Sequence, residues 1–286
     1  MTCNLIKLLN ERLGGFSKSQ RMIADYILSH YDKAAFMTAG RLAEVVGVSE
    51  STVIRFADAL GYDGYPNMQE DMMRSAHSNM TVLQRMEVTM RMINRDNAVD
   101  FVLKSDMDRI KATCEAIDRQ VFNAVADEIA SAEKIYIVGL RSSAVLADFL
   151  GFYFNLMLND VRIVNSALSS DVSEQVLHIA SRDLIIGISY PRYSRRTVQA
   201  MRFASSRGAR TVAVTDNKLS PLCPYAKYSL FADTDVKSFV DSLVAPMSLL
   251  NALIVSVAIR LGKDITNVLK EVEAIWDENE IFDRLS

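Results

Sequence analysis

Apolar positions along the chain change period between its first quarter and its second half. Over residues 38–61, TAGRLAEVVGVSESTVIRFADALG, Leu42, Val45 and Val46 recur at helical spacing. Gly47 interrupts them, and Val53, Ile54, Ala57 and Leu60 resume the pattern until Gly61. Glycine leaves a helix cheaply through a left-handed conformation, and a serine such as Ser49 is a favoured N-cap. Two short helices joined by a tight turn are therefore predicted, in an all-α N-terminal domain. From about Ala132 to Gly262 the pattern differs. KIYIVG (134–139), VRIVN (161–165), DLIIGIS (183–189), RTVAVT (210–215) and YSLFA (228–232) are short, β-branched and nearly continuously apolar. Strands buried on both faces read this way. Helix-length segments at Ala144–Asn159, Asp171–Ser181 and Arg195–Arg207 and near Pro221–Ala226 lie between them, and a longer helix over Phe239–Leu261 follows. The alternation predicts an α/β domain with a five-stranded parallel, flavodoxin-like sheet and helices on both faces. Ligands of such a sheet lie beyond the carboxyl ends of the strands, where strand order reverses.

Between these regions, residues 77–130 are polar and free of glycine, and residues 68–92 hold Met68, Met72, Met73, Met80, Met86, Met90 and Met92, half of the chain's 14 methionines. A plain hydrophobic helix face explains them best, and a linker helix repacking between subunits is the alternative. Near the C-terminus Ile265, Val268, Leu269, Val272, Ile275 and Trp276 keep helical spacing, so one stripe is expected to be buried against the same subunit or a second one.

Composition narrows the class. The 286 residues carry a net charge of −3, which argues against a surface devoted wholly to a polyanion but allows a small nucleic-acid-binding module. Three scattered cysteines, Cys3, Cys114 and Cys223, make no disulfide framework and suit a reducing cytosol. The opening MTCNLIKLLNERL carries charges within its apolar stretch and has no small-residue cleavage site. No signal peptide is read there, and a cytoplasmic location is expected. The apolar run from Leu243 to Ile259 reads as a buried helix rather than a membrane span. His30, His77 and His178 have no partner at metal-ligand spacing, so no metal and no cofactor are expected.

Paired helices of this size form a helix-turn-helix, whose second helix enters a major groove. The outward residues at its start are Glu50, Ser51, Thr52 and Arg55, with Ser49 at the cap and Arg41 placed for phosphate. Arginine binds guanine bidentately, and serine or threonine reaches bases or phosphates. An ordinary capped helical hairpin fits the same spacing. Residues 1–60 hold seven Lys/Arg and six Asp/Glu, a net +1, so a double-stranded operator would have to be held by two copies. Over residues 17–69 the chain resembles the N-terminal domain of the RpiR family of bacterial transcription regulators. The resemblance rests on the S-x-x-Q opening, A-x-x-x-G-V-S-x-x-T-V-x-R-F (43–56) and the L-G-Y-x-G-Y ending (60–65). It implies a DNA-binding head joined to a sugar-isomerase-type (SIS) sensor domain that spans roughly 108–262. The expected division is a head over 1–77, a helical linker over 78–107, the sensor, and a C-terminal helix over 263–286.

Two sensor loops attract attention on their own chemistry. The first strand ends in Gly139-Leu140-Arg141-Ser142-Ser143 directly before a helix, a ready anion site. The third ends in ISYPRYSRRTV (188–198), where Ser189, Ser194 and Thr197 supply hydroxyls and Arg192, Arg195 and Arg196 supply guanidinium groups. Arg182 to Arg210 contain seven arginines against one acid, Asp183. A solvated basic helix face accounts for Arg202 and Arg207, while the loop arginines are read as ligand or subunit contacts. ISYPRYSRRTV is similar to the SIS phosphosugar loop I-S-x-S-G-x-T-x-E-T, with Ser189, Ser194 and Thr197 on matching positions. Pro191 replaces a serine, Arg192 a glycine and Arg196 a glutamate. In the first loop, Arg141 replaces the second glycine of G-x-G-x-S. TDNKLSPL (215–222) resembles the loop after the fourth strand. The expected effector is small, anionic and sugar-derived, a phosphosugar or a sugar acid, bound by Arg141, Ser142, Ser143, Ser189, Arg192, Ser194, Arg195 and Thr197. A homodimer or dimer of dimers without a membrane partner is expected. An isomerase is the alternative, but no acid–base pair stands out, because Arg196 occupies the loop's glutamate position and His178 and Asp241 are weak bases for the task.

Overall fold

Helices begin where a cap and an apolar stripe coincide. In the computed structural model, which describes residues 5–79, 81–93, 95–164, 172–234 and 239–282, the first unit comprises residues 1–98 with 236–240, and the second 99–235 with 241–286. The first unit holds α1 (Leu5–Arg12), α2 (Lys18–Ser29), α3 (Tyr31–Ala34), α4 (Ala39–Val46), α5 (Glu50–Leu60), α6 (Gly64–Asn79) and α7 (Val82–Met92). Ser17 and Gln20 close a capping box on α2. Thr38 caps α4 by accepting from the Arg41 amide, and Ser49 caps α5 by accepting from the Thr52 amide. Gly47 (φ 79°) and Gly61 (φ 94°) end the two helices in left-handed conformations that a side chain would disfavour.

The core of this unit combines Leu5, Leu9, Ile23, Ile27, Leu42, Val53, Phe56 and Ala57 with Met68 and Met72. The apolar stripe of α5 is Val53, Phe56, Ala57 and Leu60, spaced i, i+3, i+4, i+7. Ile54, expected in the core, lies one residue round from that arc and is 41% exposed, and Val45 on α4 is exposed as well while Ala43 is buried. The methionines divide: Met68, Met72 and Met73 fill the core of the first unit, whereas Met86 and Met90 on α7 are exposed. Met80 lies outside the described residues.

The second unit opens with α8 (Ala98–Ala116) and α9 (Arg119–Ala130). It continues through β1 (Ile135–Gly139), α10 (Ala144–Met157), β2 (Val161–Val164), α11 (Val172–Gln175), β3 (Leu184–Ile188), α12 (Arg195–Ser206), β4 (Arg210–Thr215), β5 (Tyr228–Phe231), α13 (Val244–Leu261) and α14 (Lys263–Glu278). The strands form one parallel sheet in the order β2-β1-β3-β4-β5. Central strands alternate their faces. Ile135, Ile137, Ile186 and Val214 pack with α9, α10 and α13. Tyr136, Val138, Ile185 and Ala213 pack with α12 on the other face. Both faces are covered, so every residue of β1 and β3 is buried.

Three segments depart from the sequence expectation. The stretch after β2 gives only the four-residue α11 before turns, and Asp171 lies outside the described residues. Near Pro221–Ala226 only a 3₁₀ turn forms, Cys223–Tyr225. The helix after β5 starts at Val244 rather than Phe239, with Pro246 in its first turn, where a missing amide hydrogen costs nothing. Among the described residues α13 is the one helix long and apolar enough to cross a membrane, yet Leu249, Leu250, Leu253 and Val257 pack into the sheet core. Within the single chain the stripe of α14 is only partly covered. Ile265 is covered, but Val268, Leu269 and Ile275 are exposed. Trp276 is half-buried, with its ring edge-on to Phe282 at 5.3 Å between centroids.

Candidate functional site

Strand order reverses between β1 and β3: the chain leaves β1 toward β2 on one side and β3 toward β4 on the other. Gly139 pairs with Ile188, so the loops after β1 and β3 leave the sheet side by side at the place where doubly wound folds bind ligands. Gly139 is required there, because a Cβ would collide with the Ser143 carbonyl oxygen and stand 2.8 Å from Ala147 Cβ.

In the first loop Arg141 has φ 58° and begins a 3₁₀ turn, Arg141–Ser143, that leads straight into α10. Ser143, buried at the N-cap of α10, makes no side-chain cap bond. Instead the Ser143 amide donates to the Leu140 carbonyl at 3.2 Å and the Ala144 amide to the Arg141 carbonyl, which closes the 3₁₀ turn. Ser142 is exposed beside it.

The second loop is folded on itself. Ser189 Oγ accepts from the Ser194 amide at 3.0 Å, and Ser194 Oγ accepts from the Thr197 amide at 3.3 Å to cap α12. Arg192, at the tip, has φ 64°. Both positions where an arginine replaces a glycine of the family pattern thus keep a left-handed backbone, at a cost of about 1 kcal/mol or more each. Arg141, Arg192, Arg195 and Arg196 are exposed, and among the described residues none has a hydrogen-bond or ion-pair partner. Elsewhere in this arginine-rich stretch, Arg182 pairs with Glu133 and Arg210 with Glu128, each at 3.1 Å. Arg202 and Arg207 belong to α12 and the residue after it, away from the loop tip. Thr197 is fully buried, and its hydroxyl has no partner among the described residues.

The TDNKLSPL loop, noted in the sequence for its resemblance but given no role there, holds this loop from the neighbouring strand. Thr215 Oγ1 donates to the Ser189 carbonyl at 2.7 Å and lies 2.8 Å from Ser220 Oγ. Tyr193 Oη donates to Asp216 Oδ1 at 2.8 Å, and Asn217 Nδ2 donates to Asp216 Oδ2 at 2.6 Å. Burial pushes the Asp216 carboxyl above the ordinary range, against the hydrogen bonds from Tyr193, Thr215 and Asn217 that favour its charge. Burial, and then the neighbouring Asp216, push the Tyr193 phenol well up. The signal in the sequence was a tyrosine inside the β3 loop and the polar run Thr215-Asp216-Asn217 closing β4.

In the first unit, Arg41, Ser49, Glu50, Ser51 and Arg55 are exposed together and Thr52 is half-buried. Arg55 Nε donates to the Ser51 carbonyl at 3.2 Å, and Arg41 pairs with Glu44 at 2.5 Å. The Ser49 hydroxyl lies 2.7 Å from Thr52 Oγ1 and 2.9 Å from Ser51 Oγ. Glu50 folds back over Gly40, where an added Cβ would stand 3.4 Å from its Oε2. An acid in the first turn also suits the positive end of the helix.

Comparison with known proteins finds one family model in each unit. Residues 3–78 match the helix-turn-helix domain of the rpiR family, and residues 128–256 match the SIS domain. The HTH-type transcriptional regulator HexR of Pseudomonas aeruginosa is 27% identical over 281 residues, covering 94% of each chain. The HexR regulator of Escherichia coli K12 is 25% identical, covering 98% of this chain and 96% of its own. The sugar isomerase domain of an RpiR transcription factor from Sphaerobacter thermophilus superposes with a TM-score of 0.59 at 28% identity, over 62% of this chain and 99% of that one. The NanR protein of Vibrio vulnificus, solved with ManNAc-6P, shares the fold at a TM-score of 0.59 and 20% identity, over 96% of this chain and 98% of its own. A helix-turn-helix of the rpiR type followed by an SIS domain, in a chain similar to named regulators along nearly its whole length, places this protein in the RpiR family of DNA-binding transcription regulators.

Proposed function

We propose that the SIS domain binds a small anionic, sugar-derived effector, a phosphosugar or a sugar acid, in the loops after β1 and β3, and that binding alters how the head engages a double-stranded operator. One observation carries this reading. The two loops at the switch point present hydroxyls, the start of α10 and exposed guanidinium groups of Arg141, Arg192 and Arg195 that have no partner among the described residues. Guanidinium groups and the positive end of a helix suit phosphate or carboxylate. The related NanR fold was solved with a phosphorylated amino sugar. By linkage, an effector that weakens operator binding by some factor is itself bound more weakly on DNA by the same factor.

In the head, Arg55, Ser51 and Thr52 would read bases or phosphates, Arg41 would take a phosphate, and Ser49 and Glu50 would shape the helix start. Two heads per homodimer supply the affinity that one nearly neutral head lacks. The exposed apolar residues of α14 support such a dimer, as do Val145 and Phe152 on α10 and Val255 and Ile259 on α13. The chain is read as a cytoplasmic regulator without catalytic activity, since Arg196 stands where the family loop carries its glutamate.

Fluorescence anisotropy with DNA from upstream of the protein's own gene, titrated with hexose 6-phosphates and sugar-acid phosphates, tests the reading. Saturable binding that one of these compounds shifts at least about tenfold supports it. Absence of DNA binding at low salt, together with turnover of a sugar phosphate, would replace it with an isomerase.

A further inference from the structure

The loop after β3 carries a strained residue at its tip and is tied down at both ends. Ser189 precedes the segment Tyr190-Pro191-Arg192 and Tyr193 follows it. Thr215 holds the Ser189 carbonyl at 2.7 Å, and the adjacent Asp216 holds the Tyr193 hydroxyl at 2.8 Å. Asp216 is itself fixed by Asn217 at 2.6 Å. One residue past that span, the Ser194 amide donates back to the Ser189 hydroxyl at 3.0 Å. Pro191, immediately before Arg192, has its own φ fixed by its ring, and Tyr190 is buried. Left to its intrinsic preference, Arg192 would leave φ 64° for the right-handed or extended region. A residue persists in such a conformation only where its surroundings over-determine it.

We propose that Tyr193 and Asp216 are positioning residues: their hydrogen bond clasps the β3 loop to the β4 loop and thereby holds Arg192 in the left-handed conformation that presents its guanidinium at the effector site. They touch no effector themselves and act through the shape of the loop. In the family pattern a glycine holds that shape without help; here the arginine adds a charge and the Tyr193–Asp216 clasp supplies the constraint that glycine makes unnecessary. The claim about loop shape stands on the geometry alone, while its consequence for ligand affinity rests on the effector reading above.

Hydrogen exchange followed by mass spectrometry on the full-length protein tests the first part. Tyr193→Phe is expected to speed exchange of the amides between 190 and 197 by roughly tenfold, the loss of one hydrogen bond to a charged group, with the peptides of β1 and β3 unchanged. Asp216→Ala reads the same bond from its other side and serves if Tyr193→Phe does not fold. Asp216→Asn keeps an acceptor for the phenol and should stay within about threefold of the wild type. Unchanged exchange in both Tyr193→Phe and Asp216→Ala would overturn the clasp.

Calorimetric titration with hexose 6-phosphates tests the second part. Tyr193→Phe should weaken binding about tenfold, because the competent loop becomes a minor conformer. In an Arg192→Gly background the same change should cost no more than about twofold, since glycine adopts the left-handed conformation unaided. An equal loss in both backgrounds means that Tyr193 does not act through Arg192, and the proposal fails. If exchange responds as expected but no sugar phosphate binds the wild type, the clasp stands and the effector reading falls.

Discussion

Arg141 and Arg192, on neighbouring loops of one sheet, share a backbone conformation, with φ 58° and φ 64°. Each replaces a glycine of the pattern the chain otherwise resembles, and each keeps the glycine's geometry. The substitution therefore changed the charge at the loop tip without changing the path of the chain, and it did so against a conformational preference of about 1–2 kcal/mol per residue.

That relationship fixes the sign of a simple comparison. At most positions alanine is more stabilising than glycine by about 0.5–1 kcal/mol. At 141 and 192 the order should invert, with Arg→Gly more stable than Arg→Ala by roughly 1 kcal/mol in urea unfolding. Alanine winning at either position would contradict the left-handed geometry there.

Gly139 predicts the opposite sensitivity. Gly139→Ala places a methyl group against the Ser143 carbonyl and 2.8 Å from Ala147 Cβ, and neither backbone can retreat without moving α10 off the sheet. A loss of about 2–3 kcal/mol is expected, together with loss of effector response. Thermal melts and an anisotropy titration would show both.

Acid should loosen the amino-terminal edge of the sheet. Partial burial pulls the Glu128 carboxyl upward, but hydrogen bonds from Lys227 and Arg210 outweigh it and hold the group below its ordinary value. Its contribution is then complete above the ordinary carboxyl range and is lost as pH falls through the lowered value. Glu128→Gln should give a flatter acid limb in a stability-versus-pH curve while being less stable than the wild type at neutral pH. An unchanged acid limb would mean that the two ion pairs contribute nothing.

For the head, Arg55→Ala should weaken operator binding by about 1–3 kcal/mol and relax preference at one base position, whereas Arg41→Ala should weaken all sequences alike. Because a phosphate contact displaces counterions, the effect of Arg41→Ala should also shrink most at high salt. Mobility shifts over a salt series separate the two behaviours.

On α14, Leu269→Glu with Ile275→Glu should lower self-association without unfolding the chain, since both side chains are exposed. Sedimentation velocity at several concentrations reads the change, and an unaltered assembly would put the dimer contact elsewhere.

Much of this was legible in the residues. Continuous apolar runs gave five parallel strands within a residue or so at each end, because strands buried on both faces leave little choice of residue. Caps and glycines at 47, 49 and 61 marked the head helices for similarly local reasons. The stripe of α5 was harder to read: Ile54 and Phe56 are both apolar, and only packing against Ile23 and Leu42 decides which faces inward. The clasp between Tyr193 and Asp216 was not legible: both loops were marked by their motifs, but neither residue is one of the motif positions and no spacing along the chain tells that the two side chains meet. The stripe of α14 was correctly read as apolar, yet periodicity says only that a face wants covering and not what covers it.

The chain's single tryptophan, Trp276, sits on that same helix, half-buried against Phe282. Tryptophan emission, excited at wavelengths the ten tyrosines do not absorb, is therefore an optical readout of one helix alone. A spectral shift on adding a sugar phosphate would signal a change in the surroundings of α14, and a dilution series would turn the same lamp and cuvette into a label-free assay of assembly.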